Sequence, residues 1–234
     1  MLKKVLAVAV AFGLATGAQA SDFEVSGYLQ GNLGQAKAKK PSAVKAEQRD
    51  FKDIGGRTSS DRTDLAYKLI VGLQLNQYVA VEGQYIDLGK AKYKGRYSWS
   101  FEGGSGFYQD KLDMKTSGFG FNVVGSYPVT EDFSVFAKTG LHYLKTKGTL
   151  KDSWGVSVEG EGAYIESGKG SKSVRKWTNS IGIGASYQII PNLSVVGEYE
   201  RYRNVADKKV RAYDEKIKFK HNVDYLSVGL RYSF

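Results

Sequence analysis

The chain has 234 residues, with 34 Lys+Arg against 24 Asp+Glu, 28 Gly, 16 Tyr and no Cys. No apolar run beyond the first twenty residues reaches the 18 or so residues of a spanning helix, which excludes a helical membrane protein. The absence of cysteine excludes disulfide scaffolds, thiolate zinc sites, cysteine nucleophiles and lipid attachment through an N-terminal cysteine.

Lys3 and Lys4 precede an apolar run from Val5 to Leu14, and Ala18-Gln19-Ala20 follows it. A charged start, a short apolar stretch and an A-x-A site predict a signal peptide over residues 1–20, read by the Sec pathway. The rest of the chain alternates with a period of two. Leu29 and Leu33 alternate with Tyr28, Gln30 and Asn32; Leu65, Tyr67, Leu69, Val71 and Leu73 alternate with Asp64, Ala66, Lys68 and Gly72. Val79, Val81, Gly83 and Tyr85 continue the pattern, then Phe119 to Tyr127, Phe133 to Tyr143, Trp177 to Tyr187, Leu193 to Tyr199 and Leu226 to Phe234. That makes eight segments.

Short connections near 76–77, 128–131 and 190–192 alternate with long ones at about 37–61, 92–113, 147–175 and 207–220. A soluble eight-stranded barrel with a ligand in its lumen is the competing reading. A soluble sandwich would hide one face of each strand but gives no reason for that alternation. A transmembrane barrel does, with short turns on one side, long loops on the other and strands apolar outside and polar inside. Tyr78, Tyr127, Phe133, Tyr187, Tyr232 and Phe234 flank the short turns, while Tyr67, Tyr85, Tyr143, Trp177 and Tyr199 lie nearer the long loops, as two interfacial belts require. The predicted fold is all-β, an eight-stranded antiparallel transmembrane barrel with up-and-down order, spanning residues 21–234.

Leu75-Asn-Gln-Tyr-Val-Ala-Val-Glu-Gly-Gln-Tyr-Ile-Asp-Leu-Gly89 resembles the second hairpin of the outer membrane protein A barrel family. Ser126-Tyr-Pro-Val-Thr-Glu-Asp132, Ile190-Pro-Asn-Leu193 and Leu226-Ser-Val-Gly-Leu-Arg-Tyr-Ser-Phe234 are similar to other turns and the last strand of that broad group, which includes the opacity and attachment-invasion adhesins. The resemblance extends over the mature chain and is strongest at turns and strand ends. It implies the outer membrane of a Gram-negative bacterium, a monomer, and a terminal Tyr-x-Phe that barrel-assembly machinery reads. The chain stops at Phe234, without the peptidoglycan-binding domain that follows the barrel in longer members. Glu82, Lys138 and Glu198 match the family's interior ion-pair network, whereas two of its basic positions are Val124 and Val196. Lys68 is the candidate replacement cation.

Glu24, Asp64, Lys68, Glu82, Lys138, Glu198 and Arg231 all fall in the inward phase, where a narrow lumen forces charges to satisfy one another. A paired-carboxylate hydrolase built on Glu82 and Glu198 is disfavoured, since a plugged lumen admits no sugar. Most other cations lie in the long connections, which are expected to attract anions through Lys37, Lys39, Lys40, Lys45, Lys208, Lys209 and Arg211. His142 falls in an inward phase and His221 near the outer rim, with no nucleophile motif beside either, so no catalytic residues are assigned. Gly168-Lys-Gly-Ser171 lacks the spacing of a phosphate loop. No metal, cofactor or nucleic-acid motif is expected. These features point to a surface binding or scaffold protein, adhesin-like, whose loops contact outer-membrane lipid, lipopolysaccharide or a host or cell-surface polysaccharide. A small-conductance porin is the alternative, and a lipid-modifying enzyme at the outer rim a weaker one.

Overall fold

The computed structural model describes residues 25–207, 209–212 and 215–234. The leader expected over 1–20, together with Glu24 and Lys208, lies outside them. Strand β1 (Ser26–Ala38) leads into helix α1 (Ser42–Asp53) and a short strand β2 (Arg57–Asp61). Then follow β3 (Thr63–Asn76), β4 (Val79–Phe101), β5 (Gly104–Pro128), β6 (Phe133–Val158), β7 (Gly162–Ile190) and β8 (Leu193–Val205). A small hairpin of β9 (Lys209–Ala212) and β10 (Glu215–Lys218) precedes the last strand, β11 (His221–Ser233). The long strands pair antiparallel with their neighbours in sequence, and β1 also pairs with β11 from Tyr28 opposite Ser233 to Ala38 opposite Val223. Eight strands therefore close into a ring, in the order expected, and leave no edge at membrane depth.

The outward phase is apolar because lipid faces it. Leu69, Phe121, Val123, Leu141, Ile183, Leu226 and Val228 stand exposed on the wall. One belt of rings is packed across strands, with Tyr85 against Phe119 at 5.0 Å and Tyr143 against Trp177 at 5.3 Å. The other belt, Tyr127, Tyr187, Tyr232 and Phe234, lies at the short-turn end. On β7, ten residues separate Trp177 from Tyr187. At about 3.3 Å per residue and a tilt of roughly 40°, the belts stand about 25 Å apart, the height of an outer-membrane apolar band.

The inward phase alternates large and small side chains, so the lumen is filled. A Cβ at Gly72 would run into the Tyr28 ring, and one at Gly120 into the His142 ring. Only glycine lets those rings lie flat over the neighbouring strand, where Gly72 pairs with Tyr28 and Gly120 with His142.

Residues 92–113 and 147–175, expected as loops, are strand instead, apart from tight turns at 102–103 and 159–161. Strands β4 and β5 run paired to Phe101 opposite Gly104, and β6 and β7 to Val158 opposite Gly162. Above the belt both faces meet water, so alternation of apolar and polar residues stops marking strand while the hydrogen-bond ladder continues. The result is a four-stranded blade reaching about 45 Å along its strands beyond the barrel. A bulge in β4 marks the boundary: register slips between Asp87 and Lys90, and Gly89 adopts φ +68 there. Asp87 accepts the Gly89 N–H (2.9 Å) and Asp64 that of Lys90 (2.7 Å). Asp64 is thus a capping residue at the rim rather than part of the interior network. Beyond the bulge β2 replaces β3 alongside β4.

Residues 37–61, also expected as a loop, hold α1. Its buried residues Val44, Gln48 and Phe51 recur at spacings of four and three, one helical face. Phe51 stacks on Tyr108 of the blade (5.9 Å, 20° between planes), and Gln48 Nε2 donates to the Ser59 carbonyl (3.1 Å). Twelve residues make a marginal helix alone, so this docking is what holds it.

Candidate functional site

Three carboxylates and three cations meet at mid-barrel. Lys68 Nζ bonds Glu198 and lies 3.0 Å from Glu200 Oε2. Lys138 Nζ lies 2.5 Å from Glu198, 3.5 Å from Glu82 and 3.6 Å from Glu200. Arg231 closes the set at 3.8 Å from Glu82 while its guanidinium sits 4.3 Å over the Tyr28 ring. Neutral groups also donate to Glu82 and Glu200. Tyr28 O–H donates to Glu82 (2.8 Å), Asn122 Nδ2 to Glu82 (3.1 Å) and Ser180 Oγ to Glu200 (2.7 Å). All three glutamates and both lysines are buried. Formal charge within the set is balanced, so each ion has a partner that offsets its desolvation. Glu200, in the same phase as Glu198, was absent from the sequence-based set; it supplies the third anion.

Apolar layers close the lumen on both sides of these charges. Towards the short turns stand Ile70, Ala80, Val124, Phe136 and Val196 around Tyr28. The valines at 124 and 196 therefore belong to a hydrophobic seal. Towards the blade stand Ala36, Ala66, Ile86, Leu88, Met114, Leu144, Val205 and Val223 with Tyr202 and Tyr225. The space left at that mouth, beside Met114, Thr116 and His221, amounts to ≈ 10 Å³, room for about one water. His142 lies inside this packing, 2.8 Å from Gln84 and edge-on to Tyr202. His221 Nδ1 lies 2.8 Å from the Phe219 carbonyl. Among the described residues neither histidine bonds a serine or threonine hydroxyl, the arrangement a rim hydrolase needs.

Register places the cations of the long connections. On the outward face, one row beyond Phe119, Tyr143 and Trp177, come Asp87, Ser117, Lys145 and Arg175. The next row is Lys90, Lys115 and Lys147; two rows further is Lys94, Lys111, Lys151 and Lys169, one lysine from each strand. Lys115 pairs with Asp87 at 2.9 Å, and that hydrogen bond holds its ammonium pKa above the ordinary value. Lys92 and Lys111 have looser acid partners at 3.5 and 3.6 Å. Among the described residues Lys90, Lys94, Lys145, Lys147, Lys151, Lys169 and Arg175 have no ion-pair partner.

The lysines singled out in the sequence fall elsewhere. Lys37 and Lys39 are exposed at the end of β1 and just past it, Lys45 is exposed on α1, and Lys40 donates to Gln48. Lys209 and Arg211 face Lys218 and Lys216 in the β9–β10 hairpin. They are separate from the blade's lysine rows, which the sequence did carry as same-parity cations at 90, 92, 94 and 96 and at 145, 147 and 151.

A closed ring of eight strands, belted by aromatics and packed with charge inside, defines an outer-membrane β-barrel. Residues 24–234 match the OmpA-like transmembrane domain, and the chain belongs to that family. It is 26% identical over 239 residues to outer membrane protein A of Yersinia pseudotuberculosis serotype I (strain IP32953), covering 100% of this chain and 56% of that protein. The chain thus spans about half the length of that relative. Neisserial surface protein A shares 14% identity at a TM-score of 0.48, covering 90% of this chain and 99% of that one. The attachment invasion locus protein Ail of Yersinia pestis shares 15% at 0.39, covering 90% and 98%.

Proposed function

We propose that this protein is a surface binding scaffold: a sealed outer-membrane barrel holding a rigid blade whose basic face binds phosphorylated or sulfated glycans. The observation that carries this reading is the lysine register on one face of β4–β7, beginning one row beyond the aromatic belt. Lipopolysaccharide phosphates of the outer leaflet stand at that height if the blade points away from the cell, and a polysaccharide chain has anions at spacings a lysine ladder can match. Clustered cations of one sign raise local anion concentration and cost self-repulsion, which an anionic ligand relieves. The packed lumen supports this reading over a porin, because ions would have to cross two apolar layers and a neutralised charge set.

Heparin binding to the protein in neutral lipid nanodiscs tests it. Affinity should fall about tenfold or more from low to physiological salt, since exposed charges are screened beyond about 8–10 Å. Replacing Lys94, Lys111, Lys151 and Lys169 by Gln should weaken it similarly. Affinity indifferent to both changes would overturn the proposal.

A further inference from the structure

The blade has two chemically opposite faces. Across residues 91–101, 104–114, 148–158 and 162–172, the phase continuous with the lumen carries Asp110, Asp152 and Glu166 and one cation, Lys172, in the row nearest the barrel. The other phase carries the lysine ladder. On the acidic face the rings align in rows. Tyr97, Tyr108, Trp154 and Glu166 form one row; Trp99, Gly106, Val156 and Tyr164 the next; Phe101, Gly104, Val158 and Gly162 the last. Trp99 lies over Gly106 and Phe101 over Gly104, where a Cβ would strike the rings, so both lie flat on the sheet. Tyr97 and Trp99 stack at 5.6 Å, and Trp154 and Tyr164 meet at 5.5 Å. Phe101 is 45%, Trp154 38% and Tyr164 60% exposed.

Carboxylates edge this platform. Asp152 lies over Gly168, and Asp110 lies over Gly95, buried beside Phe51 of α1. Among the described residues Asp110 has no ion-pair partner and meets only backbone, at Gly95 and its own N–H. Helix α1 brings Glu47 and Asp50 towards the same spot, and burial together with Asp152 pushes the Asp110 carboxyl above its ordinary value. The acids are thus under-compensated where the rings end.

An exposed apolar patch of this kind marks a contact surface, and tryptophan and tyrosine are the residues that anchor contacts. Among the described residues Asp110, Asp152 and Glu166 form no ion pair, which makes this face a poor seat for the polyanions that suit the opposite one. Ring faces and carboxylates together favour guanidinium and ammonium groups, through cation–π attraction and charge-assisted hydrogen bonds. We propose that this face docks a cationic, partly apolar peptide, its apolar side chains on Trp99, Phe101 and Trp154 and its arginines or lysines against Asp152 and Glu166. The site uses the opposite face and opposite charge from the glycan reading, so each stands or falls alone. At physiological ionic strength the Debye length is about 8 Å, so the lysine ladder across the sheet is largely screened from it.

The test uses the whole protein in phosphatidylcholine nanodiscs and a fluorescein-labelled peptide alternating arginine and leucine, with a glutamate-for-arginine peptide and empty nanodiscs as controls. The cationic peptide should bind the protein and quench the fluorescence of Trp99 and Trp154, while the acidic peptide does not. Glu166→Gln with Asp152→Asn, and separately Trp99→Ala with Trp154→Ala, should each weaken binding about tenfold. The four lysine-to-glutamine changes on the other face should leave it within about twofold. Glu166→Gln alone, on a fully exposed strand, gives the same answer if the double variant fails to fold. The proposal is overturned if the cationic peptide binds no better than to empty nanodiscs, if both peptides bind alike, or if the carboxamide variants keep full affinity.

Discussion

Lys138 touches all three interior glutamates, and Lys68 touches two. Removing one member of a buried charge set leaves the others uncompensated, at roughly 3–5 kcal/mol when burial is complete. Lys138→Ala should therefore lower the temperature at which the folded band is lost in heat-modifiability gels, and Glu82→Gln with Glu198→Gln in that background should restore much of the loss. An unchanged transition in Lys138→Ala would mean the network does not hold the interior. A second residue-scale prediction concerns pH. The Asp110 carboxyl is pushed up by burial under α1, and that of Glu47 by partial shielding in the same contact and by the charges of Asp110 and Asp50. A carboxyl raised in the docked state favours docking when protonated, so the contact is strongest at acid pH and weakens as pH rises through those raised values. Asp110→Asn and Glu47→Gln mimic the protonated state. At neutral pH both should slow tryptic cleavage at Lys45, Arg49 and Lys52 relative to wild type; faster cleavage would reverse the sign.

At the scale of elements, Ile183 faces lipid near mid-wall of β7, 63% exposed, while Gly182 faces the lumen beside Lys138. Ile183→Arg should cost about 2–4 kcal/mol of stability in lipid vesicles by urea titration. The wall strands were legible in the sequence because lipid on one side and a filled lumen on the other impose period two. The blade was not, because water on both sides removes the apolar signal; its strand period survives in the parity of cations, at Lys90, Lys92, Lys94 and Arg96 and at Lys145, Lys147 and Lys151. Helix α1 offered just Val44, Gln48 and Phe51, one of them polar, too few to show a stripe. Inward phase was readable for Lys68, Glu82, Lys138 and Glu198, but which cation meets which acid depends on stagger between non-adjacent strands. That is why Lys68 on β3 reaching β8 could be only a candidate, and why Glu200 went unnoticed.

For the whole molecule, a lumen closed by two apolar layers should be silent in a planar bilayer, for wild type and Val124→Ala alike. Steady opening of the wild type would restore the porin reading. Orientation follows from protease shaving of intact cells. Cleavage should fall within α1, at the blade tips around 102–103 and 159–161, or in the β9–β10 hairpin. Cuts confined to 77–78 or 129–132 would turn the barrel over.

The ring is fastened by its first and last strands: Gly27 N–H donates to the Phe234 carbonyl at 3.1 Å, and the Phe234 N–H returns to Gly27 at 2.9 Å. The seam therefore joins residues about 200 positions apart, the largest separation among the described strand pairings, and its entropy is met last. During synthesis β1 can pair with β3 but lacks its second partner until β11 emerges, with an apolar face and an open ladder edge that water and neighbouring chains can reach. Such a polypeptide has to be kept apart from its own copies all the way from ribosome to membrane. The interval before closure, rather than the finished cylinder, is then its most hazardous moment.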